Sequence, residues 1–229
     1  MTTSGTFSFN PSMGELTMLA FARCGVRRTA IVQEHLQDAQ LEANLLLSEF
    51  ANKGPNLWSV SLETTTLTAG TATYNVPAET VMILDAYIRT TSSGTNTDRI
   101  ITPISRTEYA SYPNKAQQGI PTVFWFDRQT TPTVTLWQVP DASTTYTLEY
   151  YVYTQIQDAA YANGLNLDLP YRFLDAFVSG LAARMAVIYA PDKVALLQGL
   201  ADKAWNTAAA QDVENVPVYV TPSLSGYFR

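Results

Sequence analysis

The sequence predicts an α+β protein: a helical bundle built from N- and C-terminal helices, an inserted antiparallel β domain, and an extended C-terminal tail. Three observations predict it. Hydrophobic residues recur at helical spacing from Ser12 to about Lys53, alternate at period two from Leu57 to about Gln157, and return to helical spacing from Leu169 to about Asp212. The last 17 residues, 213–229, hold Pro217 and Pro222 and carry no helical stripe. The expected units are therefore 1–53 with 159–212 as a helical domain, 54–158 as the inserted β domain, and 213–229 as an extended C-terminal tail.

Each element has its own signal. Gly25 interrupts the first helical segment. A second helix is expected over about 29–52, where Val32, Leu36, Ala39, Ala43, Leu46, Leu47 and Phe50 fall in one arc of the wheel. Gln33, Gln37, Gln40, Asn44 and Ser48 form a neutral polar stripe. Glu34, Asp38, Glu42 and Glu49 form an acidic one, with Ile31, Leu41 and Leu45 beside it. A second apolar group and an uncharged polar stripe on one helix imply more than one packing partner. Gly54-Pro55 ends this helix.

In the middle segment Met82, Leu84, Ala86 and Ile88 share one side of Thr80–Arg89. Val123 and Trp125 alternate with Phe124 and Phe126, so that strand is apolar on both faces and is expected to be central. Thr133–Val139 and Tyr146–Gln157 follow, separated by turns at Ser92–Asn96, Pro113-Asn114, Gly119-Ile120-Pro121 and Pro140-Asp141. A compact antiparallel sheet or small sandwich is the expectation. Beyond Leu169, one arc gathers Leu174, Phe177, Val178, Leu181, Met185 and Ile188. The opposite side is small: Ala176, Ser179, Gly180, Ala182, Ala183 and Ala186, which permits close approach of another backbone. After Pro191, the last helix gathers Val194, Leu197, Ala201, Ala204, Trp205 and Ala208.

Composition narrows the function. The 229 residues include 20 acidic and 14 basic ones, a formal charge of −6, which argues against gripping nucleic acid through clustered Lys and Arg. An acidic wall is compatible with letting DNA pass, since it repels phosphate. One cysteine, Cys24, excludes an intramolecular disulfide and fits a reducing compartment. The N-terminus has no signal-peptide pattern, and no stretch approaches the roughly 20 apolar residues of a membrane span. A soluble protein made in a cytoplasm is expected, and its ordinary 46% hydrophobic content predicts a monomeric or weakly associated chain in isolation.

No enzyme motif is present: no nucleophile elbow, phosphate-binding loop, dinucleotide fingerprint or zinc-binding His-Glu-x-x-His. The lone histidine, His35, has Glu34, Asp38 and Glu42 nearby but no second His or usable Cys. A carboxylate site for a hard cation is the sharp reading, and a solvated acidic face is the ordinary one. Arg23, Arg27 and Arg28 make up the basic cluster around Cys24. They suit DNA phosphate, an acidic partner, or simply a helix C-terminus. Aromatic residues in Tyr146–Tyr153 fit carbohydrate binding or, more commonly, core packing. No cofactor and no metal is expected.

The segment Met13-Gly-Glu-Leu-Thr-Met-Leu-Ala-Phe-Ala-Arg-Cys-Gly-Val resembles the first helix of phage head-to-tail adaptors, and the run Glu34–Leu47 followed by Gly54-Pro-Asn-Leu-Trp resembles their long helix and entry to the β region. Gly119–Asp127, Leu136–Ala142 and Tyr146–Tyr153 are similar to the strand–turn elements of the same proteins. The likeness is to the tail tubular protein A and tail accessory factor group, and covers about residues 12–212. It implies a non-enzymatic structural subunit of the virion neck: a dodecameric ring that joins the portal protein to the tail nozzle or tail tube and surrounds the DNA channel, with no membrane contact and no sequence-specific DNA binding. Another tail-completion protein is the runner-up. A cell-wall hydrolase of the tail is the reading from a different class, and no motif supports it.

Two candidate sites follow. By position in the relatives, the tail docks onto the portal or a neighbouring subunit through Val216, Val218, Tyr219, Val220, Tyr227, Phe228 and Arg229. These residues are too apolar for a solvated terminus, and the alternative is a terminus folded back on the chain's own β domain. Glu34, Asp38, Glu42 and Glu49 are candidates to face the channel, the alternative being an outer solvated face.

Overall fold

A computed structural model describes residues 4–54, 56–92, 94–160 and 165–213. Helix α1 (Met13–Cys24) starts at Ser12, whose Oγ accepts a hydrogen bond from Glu15 N–H while the Glu15 carboxylate accepts from Ser12 N–H at 2.8 Å. This reciprocal cap satisfies two otherwise orphaned donors. Gly25, at φ +91°, closes the helix in the left-handed region, with its N–H donating to Ala22 O. Helix α2 (Gln33–Asn52) begins four residues later than its periodicity suggests, because residues 28–30 form a separate single turn and Val32 is extended.

The strands are β1 (Val60–Thr66), β2 (Thr73–Asn75), β3 (Thr80–Ser92), β4 (Thr95–Pro103), β5 (Val123–Asp127), β6 (Thr133–Trp137) and β7 (Tyr146–Thr154), with a short helix α3 (Arg106–Ser111) after β4. They form one seven-stranded sheet in the order β1-β7-β3-β4-β5-β6-β2. The neighbours are antiparallel except β4 and β5, which run parallel through Thr102↔Val123 and Pro103↔Phe124. Strand β5 is internal, as its two apolar faces predict. Helices α4 (Leu174–Tyr189) and α5 (Val194–Ala209) complete the described chain.

This architecture corrects the expected fold class. The sheet is mixed and curled into a half-barrel around which the molecule is organised, and the protein is not a helical bundle carrying an inserted antiparallel domain. The physical reason lies in two places. Residues 104–122, which include α3, intervene between β4 and β5, so the chain re-enters the sheet parallel and no hairpin forms there. The sheet also runs directly into the helices. Tyr153 at the end of β7 donates its hydroxyl to Ala51 O and accepts from Asn56 Nδ2, Thr154 Oγ1 donates to Ser59 O, and Ile156 is buried among the helical core residues.

Two sets of buried side chains result. One joins Phe21, Phe50, Phe173, Phe177 and Met185 with small residues of α2 and α4. The other lies on the sheet, with Ile88, Ile101, Phe124, Leu136, Leu148, Tyr150 and Val152. The expected one-sided row Met82, Leu84, Ala86 and Ile88 is broken. Register shifts between Thr80/Met82 and Ile83/Asp85 make Ile83 the buried residue at that end, leaving Met82 37% exposed. An extra residue in one strand reverses the facing of everything before it.

Candidate functional site

Helix α4 is the hub of the helical side. Both its large arc and its small arc are buried, from Leu174 to Ala186, because α1, α2 and α5 all pack on it. At Gly180 the fit depends on having no side chain: a Cβ there would stand 2.9 Å from Leu46 Cδ1. Arg184, near the end of α4, reaches α2 and pairs with Glu42 (3.1 Å) and Glu49 (2.8 Å). Lys53 also pairs with Glu49 at 2.8 Å. Burial works against ionisation of Glu49, but hydrogen bonds from Lys53 and Arg184 outweigh it and hold the carboxyl below its ordinary range. The Tyr189 hydroxyl donates to Asp38, and burial together with that carboxylate pushes its pKa up to about 12.

The acidic stripe is therefore divided. Asp38, Glu42 and Glu49 are half-buried and engaged across the α2–α4 seam, and Glu34 alone of the four is exposed. His35 is held as a packing and capping residue. Its Nδ1 accepts from Val32 N–H at 3.4 Å, and its ring stacks on Tyr189 (centroids 4.7 Å apart) and meets Phe21 edge-on. Cys24 is buried, its thiol donates to Ala182 O, and burial raises its pKa although Lys193 nearby works the other way. That is the environment of a structural thiol rather than an activated one. Arg23 pairs with Asp175 at 2.8 Å and donates to Ser179, while Arg27 and Arg28 are exposed on the turn after α1. Tyr146, Tyr150 and Tyr153 are core residues. Among the described residues no group of three or more His, Cys, Asp or Glu side chains is placed to hold a metal ion, and no helix is long and apolar enough to cross a membrane.

The candidate docking residues Val216, Val218, Tyr219, Val220, Tyr227, Phe228 and Arg229 lie outside the described residues. The root of the tail is well fixed: the Asp212 carboxylate accepts from Leu57 N–H at 2.9 Å and pairs with Arg172.

Sequence reasoning missed the surface that stands out in three dimensions. Leu41 and Leu45 on α2, Val187 and Ile188 on α4, and Leu196 and Leu200 on α5 are between 46% and 66% exposed. Ahead of α1, Phe7 and Phe9 project fully or nearly so, at 106% and 77%. The periodicity of Ile31, Leu41 and Leu45 signalled a second partner for α2, whereas nothing singled out the two phenylalanines except their alternation with Ser8 just before a helix cap. Exposed aliphatic pairs on three helices that pack together are candidates for interaction surface.

No curated protein sequence matches the chain. The model of the SU10 adaptor protein family matches residues 13–221, nearly the whole chain, and with it the structural role of a phage adaptor in the virion, in contact with other head or tail proteins. The chain belongs to the SU10 adaptor protein family, a family of phage head–tail adaptors.

Proposed function

We propose that this chain is a ring-forming subunit of the phage neck, non-enzymatic, joining the portal protein to the tail nozzle or tail tube in a dodecameric ring around the DNA channel. Family membership supplies the adaptor role. The observation that carries the reading further is the set of exposed aliphatic side chains on α2, α4 and α5, with Leu41 at 63%, Val187 at 65% and Leu196 at 66%. Three helices with exposed apolar side chains suit lateral contact between copies, and heterologous contacts form a ring where the rotation between copies closes. The likeness to the tail tubular protein A and tail accessory factor group supports the same position in the particle.

In this reading the tail beyond Val213 docks on the portal, starting from the root pinned by Asp212. The net charge of −6 suits a protein that DNA passes without sticking. Of the acidic stripe, Glu34 is the carboxylate free to face the channel. A reconstruction of the neck in assembled particles tests the proposal. The expected density is a closed ring of this chain between portal and tail, and a location elsewhere in the tail overturns it. Removing residues 213–229 is expected to leave a folded chain that no longer binds portal, and normal portal binding by that truncation would reassign docking to the helices.

A further inference from the structure

Residues 4–11 form an arm without a place of its own. Among the described residues its backbone makes no hydrogen bond to the rest of the chain. Phe7 and Phe9 lie beside exposed Tyr171, in an open depression lined otherwise by the arm itself. Two exposed phenylalanines one residue apart are costly to leave in water.

The same chain carries an uncharged cleft in which apolar and amide side chains alternate. Met18 of α1 and Ile31, Val32 and Leu36 around the start of α2 line a cleft of about 700 Å³, edged by Gln33 and Gln37. None of its lining residues is charged, in a chain where 15% of residues are. The arm matches it: residues 4–14 contain no charge either. Gln33 and Gln37 make no side-chain hydrogen bond among the described residues. Each amide offers both a donor and an acceptor, which is what the unpaired backbone of an extended peptide needs.

We propose that the arm of one copy seats Phe7 and Phe9 in the Met18–Val32–Leu36 cleft of the next copy, so that each subunit gives one arm and receives one. This rests on the ring reading above and names its contact. The contact is heterologous, as a closed ring requires. Eight extended residues span roughly 26 Å, enough to cross a boundary between packed helices whose axes lie about 10 Å apart. Two phenylalanines bury roughly 300–400 Å², well short of the ~1,200 Å² of a stable interface, so the arm reinforces a ring and does not by itself make a permanent oligomer in dilute solution.

Cysteine pairing tests this, with buried Cys24 left in place. Chains carrying Ser8→Cys are mixed with chains carrying Gln37→Cys and oxidised, in concentrated solution and in assembled particles. The expected product is a covalent dimer of one chain of each kind. With both substitutions in one chain, the expected product is a ladder of linked chains. A monomer linked internally overturns the proposal in favour of the chain's own arm, and absence of any link overturns it outright. Phe7→Ser with Phe9→Ser is expected to weaken self-association at least about tenfold while the melting temperature stays unchanged, since neither residue touches the core. Unchanged association would sink the arm and leave the ring standing. A parent chain that forms no oligomer even in particles would sink both, and the neck reconstruction separates the two cases.

Discussion

Helices α4 and α2 are both rich in aliphatic residues, yet the structure treats them oppositely. From Leu174 to Ala186 α4 is enclosed by α1, α2 and α5, and its small residues let those helices approach. Helix α2 buries a single stripe, Ala39, Ala43, Leu46, Leu47 and Phe50, and leaves Leu41 and Leu45 in solvent. Apolar content is therefore not a guide to core position here. The apolar residues that face α4 hold the subunit together, while Leu41 and Leu45 of α2 and Leu196 and Leu200 of α5 are exposed.

The comparison breaks if its two halves respond alike to substitution. The largest effect belongs to the hub. Phe177 is fully buried in α4, and Phe177→Ala is expected to lower unfolding free energy by about 3–5 kcal/mol, measured by urea denaturation. A loss below about 1 kcal/mol would mean that α4 is not the centre of the helical side. Next comes the seam between the two helices. Arg184→Leu removes the partner of Glu42 and Glu49 and is expected to cost roughly 1 kcal/mol, a modest figure because all three side chains keep partial solvent contact.

The same seam has a pH dependence whose direction is fixed. The Glu49 carboxyl is held below its ordinary range by Lys53 and Arg184 against the opposing effect of burial, so the unfolded chain protonates first. Its contribution is complete above the ordinary carboxylate range, near pH 4–5, and is lost as pH falls through the folded pKa. Stability curves for the parent and Glu49→Gln should draw together as pH falls below the ordinary carboxylate range and through the lowered folded pKa. Parallel curves down to lower pH would remove Glu49 from the seam. The smallest effect on folding belongs to the outer face, where Leu41→Ser is expected to change stability by less than about 0.5 kcal/mol and to act on ring assembly instead. A large loss of stability there would erase the distinction between the two faces.

Much of the helical side was legible in the sequence. Leu174, Phe177, Val178, Leu181 and Met185 are buried as their spacing predicts, and the small arc of α4 does admit neighbouring backbones and side chains. Ile188 and Val32, assigned to the same stripes, are 53% exposed, because each lies at a helix end past the reach of the packing helix. The helical bundle with an inserted antiparallel sheet was a misreading, since alternation identifies strands but is blind to their partners and to the bulges in β3. The acidic stripe was legible as a stripe; that Arg184 and Tyr189, 135 to 151 residues away in sequence, would claim three of its four carboxylates was not.

What the sequence determined alone is local: the helical periods on either side of the strand-rich segment, and where Ser12 and Gly25 bound the first helix. These follow from forces acting within a few residues, namely side-chain period, capping and turn chemistry. Tertiary structure decided the parallel β4–β5 pairing, the curl of the sheet into the helices, and which apolar stripe meets another stripe and which is left to solvent. Burial is a property of pairs of surfaces, and a single segment cannot encode its partner when the same leucine suits a core and an interface equally well.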